Sequence, residues 1–209
     1  MIEGRAMGSM GANCYLYACM ESKKAVIIDP GADGKKLYRW VTEKGLKVEY
    51  ILLTHGHVDH IAGLEELREL LGDVLVGIHA DDAGMLTDGK KNLSSYLGSE
   101  LVLQSADFLL QDGQEINIGK GKLKVLSTPG HSPGCVCFLS TEGLFSGDTL
   151  FAGSIGRTDF PGGSLDQLLK GVKNKLMILP DDTRVFPGHG EETTIGEEKR
   201  DNPYIKDQS

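Results

Sequence analysis

The chain has 209 residues, 40% of them hydrophobic and 25% charged, with a formal net charge of −8. This is the composition of an ordinary globular protein, long enough for one domain with a sizeable core. The acidic balance excludes a basic nucleic-acid footprint, no apolar run is long enough to span a bilayer, and without a secretory apolar segment the expected location is the cytoplasm.

In chain order, Ile2-Glu3-Gly4-Arg5 matches a protease site used in protein expression and equally fits an edge strand. Strand patterns cover residues 13–18 and 25–29, and Asp29-Pro30-Gly31 is a stop signal. Residues 33–44 are predicted helical, with Leu37, Trp40 and Val41 on one face and Gly45 at the end. Residues 48–53 form a short apolar strand that runs into Thr54-His55-Gly56-His57-Val58-Asp59-His60. An amphipathic helix is expected over 61–71, through Leu64, Leu67, Leu70 and Leu71, then a strand over 74–79. Residues 80–103 read as two short helical pieces. Strands follow at 108–110, 115–118, 123–127, 136–139 and 144–145, with Glu142-Gly143 suited to a tight hairpin. Residues 162–176 give a loop and a helix, 184–186 a strand ending at Pro187-Gly188-His189-Gly190, and the tail is polar with a short helix. With no repeat or linker, this order predicts a single domain over 1–209, two sheets with outer helices.

Cys135 and Cys137 have strand spacing, not the gap of a zinc ribbon or redox motif. Cys14 and Cys19 flank an apolar run, and both read as small buried hydrophobes.

Six histidines are present, three of them within six residues. His131 and His189 share one context, Pro-Gly-His after a β-rich run, and Asp148 follows the same pattern in Phe145-Ser146-Gly147-Asp148. Candidate ligands therefore recur where apolar strands stop, which is where α/β proteins build sites. His55 and His57 leave one strand two residues apart, so both imidazoles can enter one cleft, while Asp59 and His60 suit a second metal beside the first. Neutral imidazole and carboxylate suit zinc, iron or manganese. Asp148 is a natural bridge, since one carboxylate spans two cations ~3.5–4 Å apart. The glycines at 56, 130, 147, 188 and 190 permit close backbone approach. A lone histidine is usually structural, and His79, without a Pro-Gly turn, is read that way; Trp40, Tyr15 and Tyr17 are read as core.

The segment 54–60, followed by His131, Asp148 and His189, resembles the ligand signature of the metallo-β-lactamase superfamily. The resemblance implies an α/β (α+β) fold, a four-layer αββα sandwich of two mixed sheets flanked by helices. It implies two divalent metal ions, zinc first and iron or manganese as alternatives. His55, His57 and His131 would hold one, Asp59, His60 and His189 the other, and Asp148 would bridge them. Class B β-lactamases generally carry cysteine or serine at the position of Asp148 and are exported. Flavodiiron proteins replace a histidine of the first motif with glutamate, and the RNA-processing branches carry longer arms. Gly156-Arg157-Thr158-Asp159-Phe160 is similar to both glyoxalase II relatives and persulfide dioxygenases. Full-length glyoxalase II has a C-terminal helical domain and usually a tyrosine after the last ligand motif. Here Gly190-Glu191-Glu192 follows His189, so the expected match is the short, single-domain glyoxalase II-like group.

The implied activity is hydrolysis of a small-molecule thioester, such as a hydroxyacylglutathione, by a metal-bridging hydroxide that Asp59 and Asp148 orient. No Gly-x-Ser-x-Gly nucleophile motif competes with it. Arg157 is the candidate anchor for an anionic substrate group, against an ion pair with Asp159 or Asp166. The alternatives are a mononuclear iron persulfide dioxygenase, a lactone or ester hydrolase, and a non-catalytic metal-binding protein.

Overall fold

A computed structural model describes residues 1–206. Strand β2 (Ala12–Cys19) sets its architecture. Tyr15 and Tyr17 leave one face and Cys14, Leu16 and Ala18 the other, and all five are buried. A strand buried on both faces needs a layer on each side, which is why such strands read as unbroken apolar runs. Strands β3 (Lys24–Ile28) and β4 (Lys47–Leu52) behave likewise.

These three belong to a six-stranded sheet that also holds β1 (Ile2–Met7), β5 (Leu75–His79) and β6 (Phe108–Leu110), in chain order across the sheet. β1 to β3 pair antiparallel and β3 to β6 pair parallel. The second sheet contains β7 (Glu115–Ile118), β8 (Gly121–Ser127), β9 (Val136–Leu139), β10 (Leu144–Gly147), β13 (Arg184–Pro187) and β14 (Thr193–Thr194). Its order is β14-β13-β10-β9-β8-β7, and β10 and β13 are its parallel pair. Strands β11 (Leu150–Phe151) and β12 (Ser154–Ile155) make a separate small hairpin.

Three apolar layers hold this together. Helices α1 (Gly34–Thr42) and α3 (Leu64–Leu71) put Leu37, Trp40, Val41, Leu64 and Leu67 onto the outer face of the first sheet. Between the sheets, Tyr15 and Ile28 meet Phe138, Phe145 and Phe186, with the last two rings stacked at 5.1 Å. Burying each phenyl ring contributes roughly 1.5–3 kcal/mol. Helix α4 (Leu165–Gly171) continues into a π-helical turn, Val172–Leu176, and covers the outer face of the second sheet with Leu168, Val172 and Leu176. Helix α5 (Ile195–Asp201) opens with a capping box between Thr194 and Glu197, and the short α6 (Pro203–Lys206) follows. The result is two mixed sheets flanked by helices, the expected αββα sandwich.

Several expectations are corrected. The helix expected over 61–71 is two helices, α2 (Val58–Ile61) and α3. Gly63 separates them because it is wedged against the chain before α1: its N–H donates to Pro30 O, and a Cβ there would lie 2.6 Å from Ala32 O. The edge-strand reading of the Ile2–Met7 segment, by contrast, holds; Glu3 accepts from Trp40 Nε1 at 3.1 Å and from Lys44, and Arg5 lies over the Trp40 ring. Cys19 is half-exposed rather than buried, and hydrogen bonds from the Lys120 and Ser22 backbone and the Ser22 side chain lower its thiol to about 7. Among the described residues no helix is long and apolar enough to cross a membrane.

Candidate metal centre

Loops at one edge of the sandwich carry the seven candidate ligands and are stitched across it. Val136 N donates to Thr54 O, Gly188 N to Gly147 O, and Asn13 N to Gly188 O. The Asn13 side chain donates to Pro187 O and Gly190 O, and the Tyr15 hydroxyl to Pro187 O. The first sheet thereby grips the loop of the second that presents His189.

His55, His57 and His131 form a buried group. His57 Nδ1 lies 2.9 Å from His131 Nε2. The outer nitrogens are held from behind, His131 Nδ1 by the Arg157 carbonyl at 2.8 Å and His55 Nδ1 by the Thr54 hydroxyl at 3.1 Å. Such outer bonds fix the ring and leave the inner nitrogen free to ligate.

Asp59, His60 and His189 form a second group. The turn of α2 that begins after His57 brings the adjacent Asp59 and His60 to one centre, as their roles require. His189 Nε2 is 3.1 Å from Asp59 Oδ2 and 3.8 Å from Asp148 Oδ2. Asp148 lies between the groups, with Oδ1 3.3 Å from His60 Nε2 and Oδ2 3.5 Å from His131 Nε2. Gly188 must be glycine for this packing, because a Cβ would stand 2.2 Å from Asp148 Oδ1.

The donor set fits divalent metal. His55 Nε2 is buried with no hydrogen-bond partner, and the buried His60 Nε2 and Asp148 Oδ1 face only each other, at 3.3 Å and without well-formed hydrogen-bond geometry. Leaving such an atom unsatisfied costs about 1–3 kcal/mol, and three at one point make a ligand cage. Imidazole nitrogens and carboxylate oxygens are the ligands of zinc, iron and manganese.

Protonation divides the groups. Burial, reinforced by neighbouring histidines, drives His55 well below the ordinary range and His57 down to about 3. Burial also opposes charge on His60, but the Asp148 and Asp29 carboxylates outweigh it and raise that ring well above the ordinary value. The Asp59 hydrogen bond raises His189. For Asp59, burial is outweighed by the bond from His189 and the charge of His60, which hold the carboxyl low; His60 does the same for Asp148.

A cavity of about 770 Å³ opens over the centre, with His57, Asp59, His131, Asp148 and His189 in its floor. Arg157 is on its wall, and both Nε and Nη2 donate to the Asp159 carboxylate at 2.7 Å. His79 stands apart, 3.7 Å from the Asp81 carboxylate.

Two buried carboxylates escape the sequence reading. Asp29, taken there for a stop signal, accepts from Thr54 N at 2.8 Å and Thr54 Oγ1 at 2.6 Å, and its Oδ2 lies 3.0 Å from His60 Nδ1. With its oxygens so engaged it orients His60 from outside the centre. It ends an apolar strand just as Asp148 does, and that signal could have found it. Asp82 accepts from Ser132 Oγ, Gly134 N and, at 3.3 Å, Gly56 N, so it ties the His55–His57 loop to the His131 loop. Burial raises its carboxyl. No local pattern marks it.

The family model of the metallo-β-lactamase superfamily matches residues 7–189. A probable metallo-hydrolase of Bacillus subtilis, YqgX, is 41% identical over 202 residues, covering 95% of this chain and 94% of its own. The hydroxyacylglutathione hydrolase GloC of Haemophilus influenzae is 36% identical over 207 residues, 94% of each chain. The crystal structure of the BLEG-1 B3 metallo-β-lactamase superposes with a TM-score of 0.93 at 39% identity, covering 98% of this chain and 99% of that one.

Proposed function

The chain belongs to the metallo-β-lactamase superfamily, and from that premise we propose that it is a dinuclear metallohydrolase that cleaves thioesters, the hydroxyacylglutathiones being one candidate class. One observation carries the reading: two three-residue ligand groups flank Asp148, whose two carboxylate oxygens lie 3.3 Å from His60 Nε2 and 3.5 Å from His131 Nε2. His55, His57 and His131 would hold one ion, Asp59, His60 and His189 the other, and Asp148 both. The similarity to GloC supports the thioester. Zinc fits the donors best, with iron or manganese as alternatives.

When bound, such a pair supplies hydroxide at neutral pH and a Lewis acid for a carbonyl oxygen. The protein's own part is positioning. Asp59, held ionised by His189, offers a hydrogen-bond acceptor that orients the attacking oxygen toward the cavity. His57, His131 and Asp148 of the floor are buried from bulk water, which strengthens the electrostatic contacts they make. A thiolate leaves without strong acid assistance, and the cavity wall accordingly needs no proton donor. Nor does it pair a nucleophile with a base: Ser154, its serine, has its hydroxyl directed to the Ile155 carbonyl.

The test is steady-state turnover of S-lactoylglutathione by metal-analysed protein, with thioester loss and oxygen uptake followed together. Thioester loss without oxygen use, abolished by a chelator, is expected. Oxygen uptake on a persulfide without thioester loss would replace the hydrolase by a dioxygenase.

A further inference from the structure

The cavity above the centre is unevenly furnished. Tyr96 and Leu97, from the short 3-10 turn Ser94–Leu97, and Met10, from the β1–β2 hairpin, line it. Their exposures of 76%, 60% and 45% place large apolar side chains in water along it. Phe151 and Ile155 of the β11–β12 hairpin add to the apolar lining, with the Phe151 ring 6.2 Å from that of His189. Exposed apolar side chains gathered around a cleft mark a binding surface, whereas single ones scattered over a surface do not.

The charges in the cavity are the second half of the argument. Arg157 is the only lysine or arginine among its lining residues. Its guanidinium is held bidentate by Asp159 and lies over the Phe160 ring at 4.2 Å. The floor carboxylates Asp59 and Asp148 would be neutralised by the ions they are proposed to hold, so the wall's own charges decide which carrier it can grip. Glutathione brings two carboxylates and one ammonium, and a site built to grip it would need cations to spare. This wall has one, already neutralised.

Resting on the thioester reading, the geometry points to a substrate that carries an apolar group of several carbons along the Tyr96–Leu97 wall, in place of a multiply charged thiol carrier. The group can belong to either side of the thioester. Burying a methylene is worth roughly fourfold in binding, so a six-carbon group has ample room to show itself even on a partly open wall.

Two series of neutral thioesters test this. One varies the acyl group on N-acetylcysteamine from acetyl to hexanoyl, and the other varies the thiol of an acetyl thioester from ethyl to hexyl. In at least one series kcat/KM should rise by about tenfold or more, above the value for S-lactoylglutathione. A rise in one series alone identifies the side of the thioester that lies on the wall. Leu97→Asp, at an exposed position, should cut the hexyl-to-short ratio at least about threefold, with Tyr96→Ser as an independent second variant. A readout without turnover is calorimetric binding of the hexyl and ethyl thioethers of N-acetylcysteamine to metal-free protein, where hexyl should bind more tightly and lose that advantage in Leu97→Asp. Flat series, or a preference for S-lactoylglutathione, would overturn this inference while leaving the hydrolase standing. Failure to cleave any thioester would overturn the hydrolase reading itself.

Discussion

The His55, His57 and His131 group and the Asp59, His60 and His189 group lie side by side at one edge of the sandwich. In the first, all three rings are buried, no carboxylate is a member, and the outer nitrogens of His55 and His131 face a hydroxyl and a backbone carbonyl. In the second, a carboxylate is a member, Asp29 backs His60, and His189 reaches in from the opposite sheet with 30% of its side chain exposed. Burial keeps His55 and His57 of the first group neutral, ready to ligate without losing a proton. The second is kept charged by its carboxylates and must release protons first. The two proposed metal sites thus rest on opposite electrostatic plans, and they should differ in affinity, in pH dependence and in tolerance of change.

The largest effect comes from breaking the buried group. His57→Ala removes a ligand from the floor and leaves His131 Nε2 without its neighbour. Losing an outer-shell partner typically costs 10–100-fold in metal affinity or activity, and losing a ligand outright should exceed about 100-fold. His189→Ala, at the exposed end of the second group, should instead give up about one equivalent of metal while the other stays bound. Metal content by elemental analysis after gel filtration distinguishes the two variants. Equal losses in both would show that the groups do not load separately.

The candidate ligands could be picked out in the sequence because strand ends, Pro-Gly turns and histidines coincide around 55–60, 131 and 189. What supports them was not. Asp29 resembled turn punctuation, since its hydrogen bonds run to Thr54 and His60, twenty-five and thirty-one residues away. Asp82 joins two loops that are far apart in sequence, so no window of local pattern contains the reason for it. The break between α2 and α3 depends on carbonyls of residues 30 and 32, and the two-residue strands β11 and β12 are too short to show periodicity. The layers were readable for the opposite reason: strands such as β2 declare burial on both faces through every residue they contain.

The next effect is on pH. His60 and His189 have raised values in the folded metal-free protein, so the stability they contribute is fully present below the unfolded value of about 6.5 and is lost as pH rises through the folded one. His55 and His57 have lowered values, and they carry the opposite sign: the unfolded chain takes up protons below about 6.5 that the folded one refuses, so their burial costs stability as pH falls. For metal, the consequence is that affinity at the second group should climb more steeply than affinity at the first as pH rises above about 6.5. Competition against a chelator across that range should strip one equivalent first at the acidic end. Parallel loss of both equivalents at every pH would contradict the division.

The smallest effect separates a side chain from its own backbone. Arg157 touches the centre in two ways, and they are independent. Its carbonyl holds His131 Nδ1, which serves the buried group, and its guanidinium pairs with Asp159 in a largely exposed bridge. Arg157→Ala keeps the carbonyl and removes the bridge, and exposed ion pairs contribute little to stability. Metal content and Tm should therefore match the wild type within error. If the guanidinium also greets an anionic substrate, KM for S-lactoylglutathione should rise a few-fold with kcat unchanged, because such a contact binds ground and transition state alike. A neutral thioester should feel nothing. Loss of metal in this variant would mean that the bridge to Asp159 holds the loop in place, and that the buried group depends on a surface contact after all.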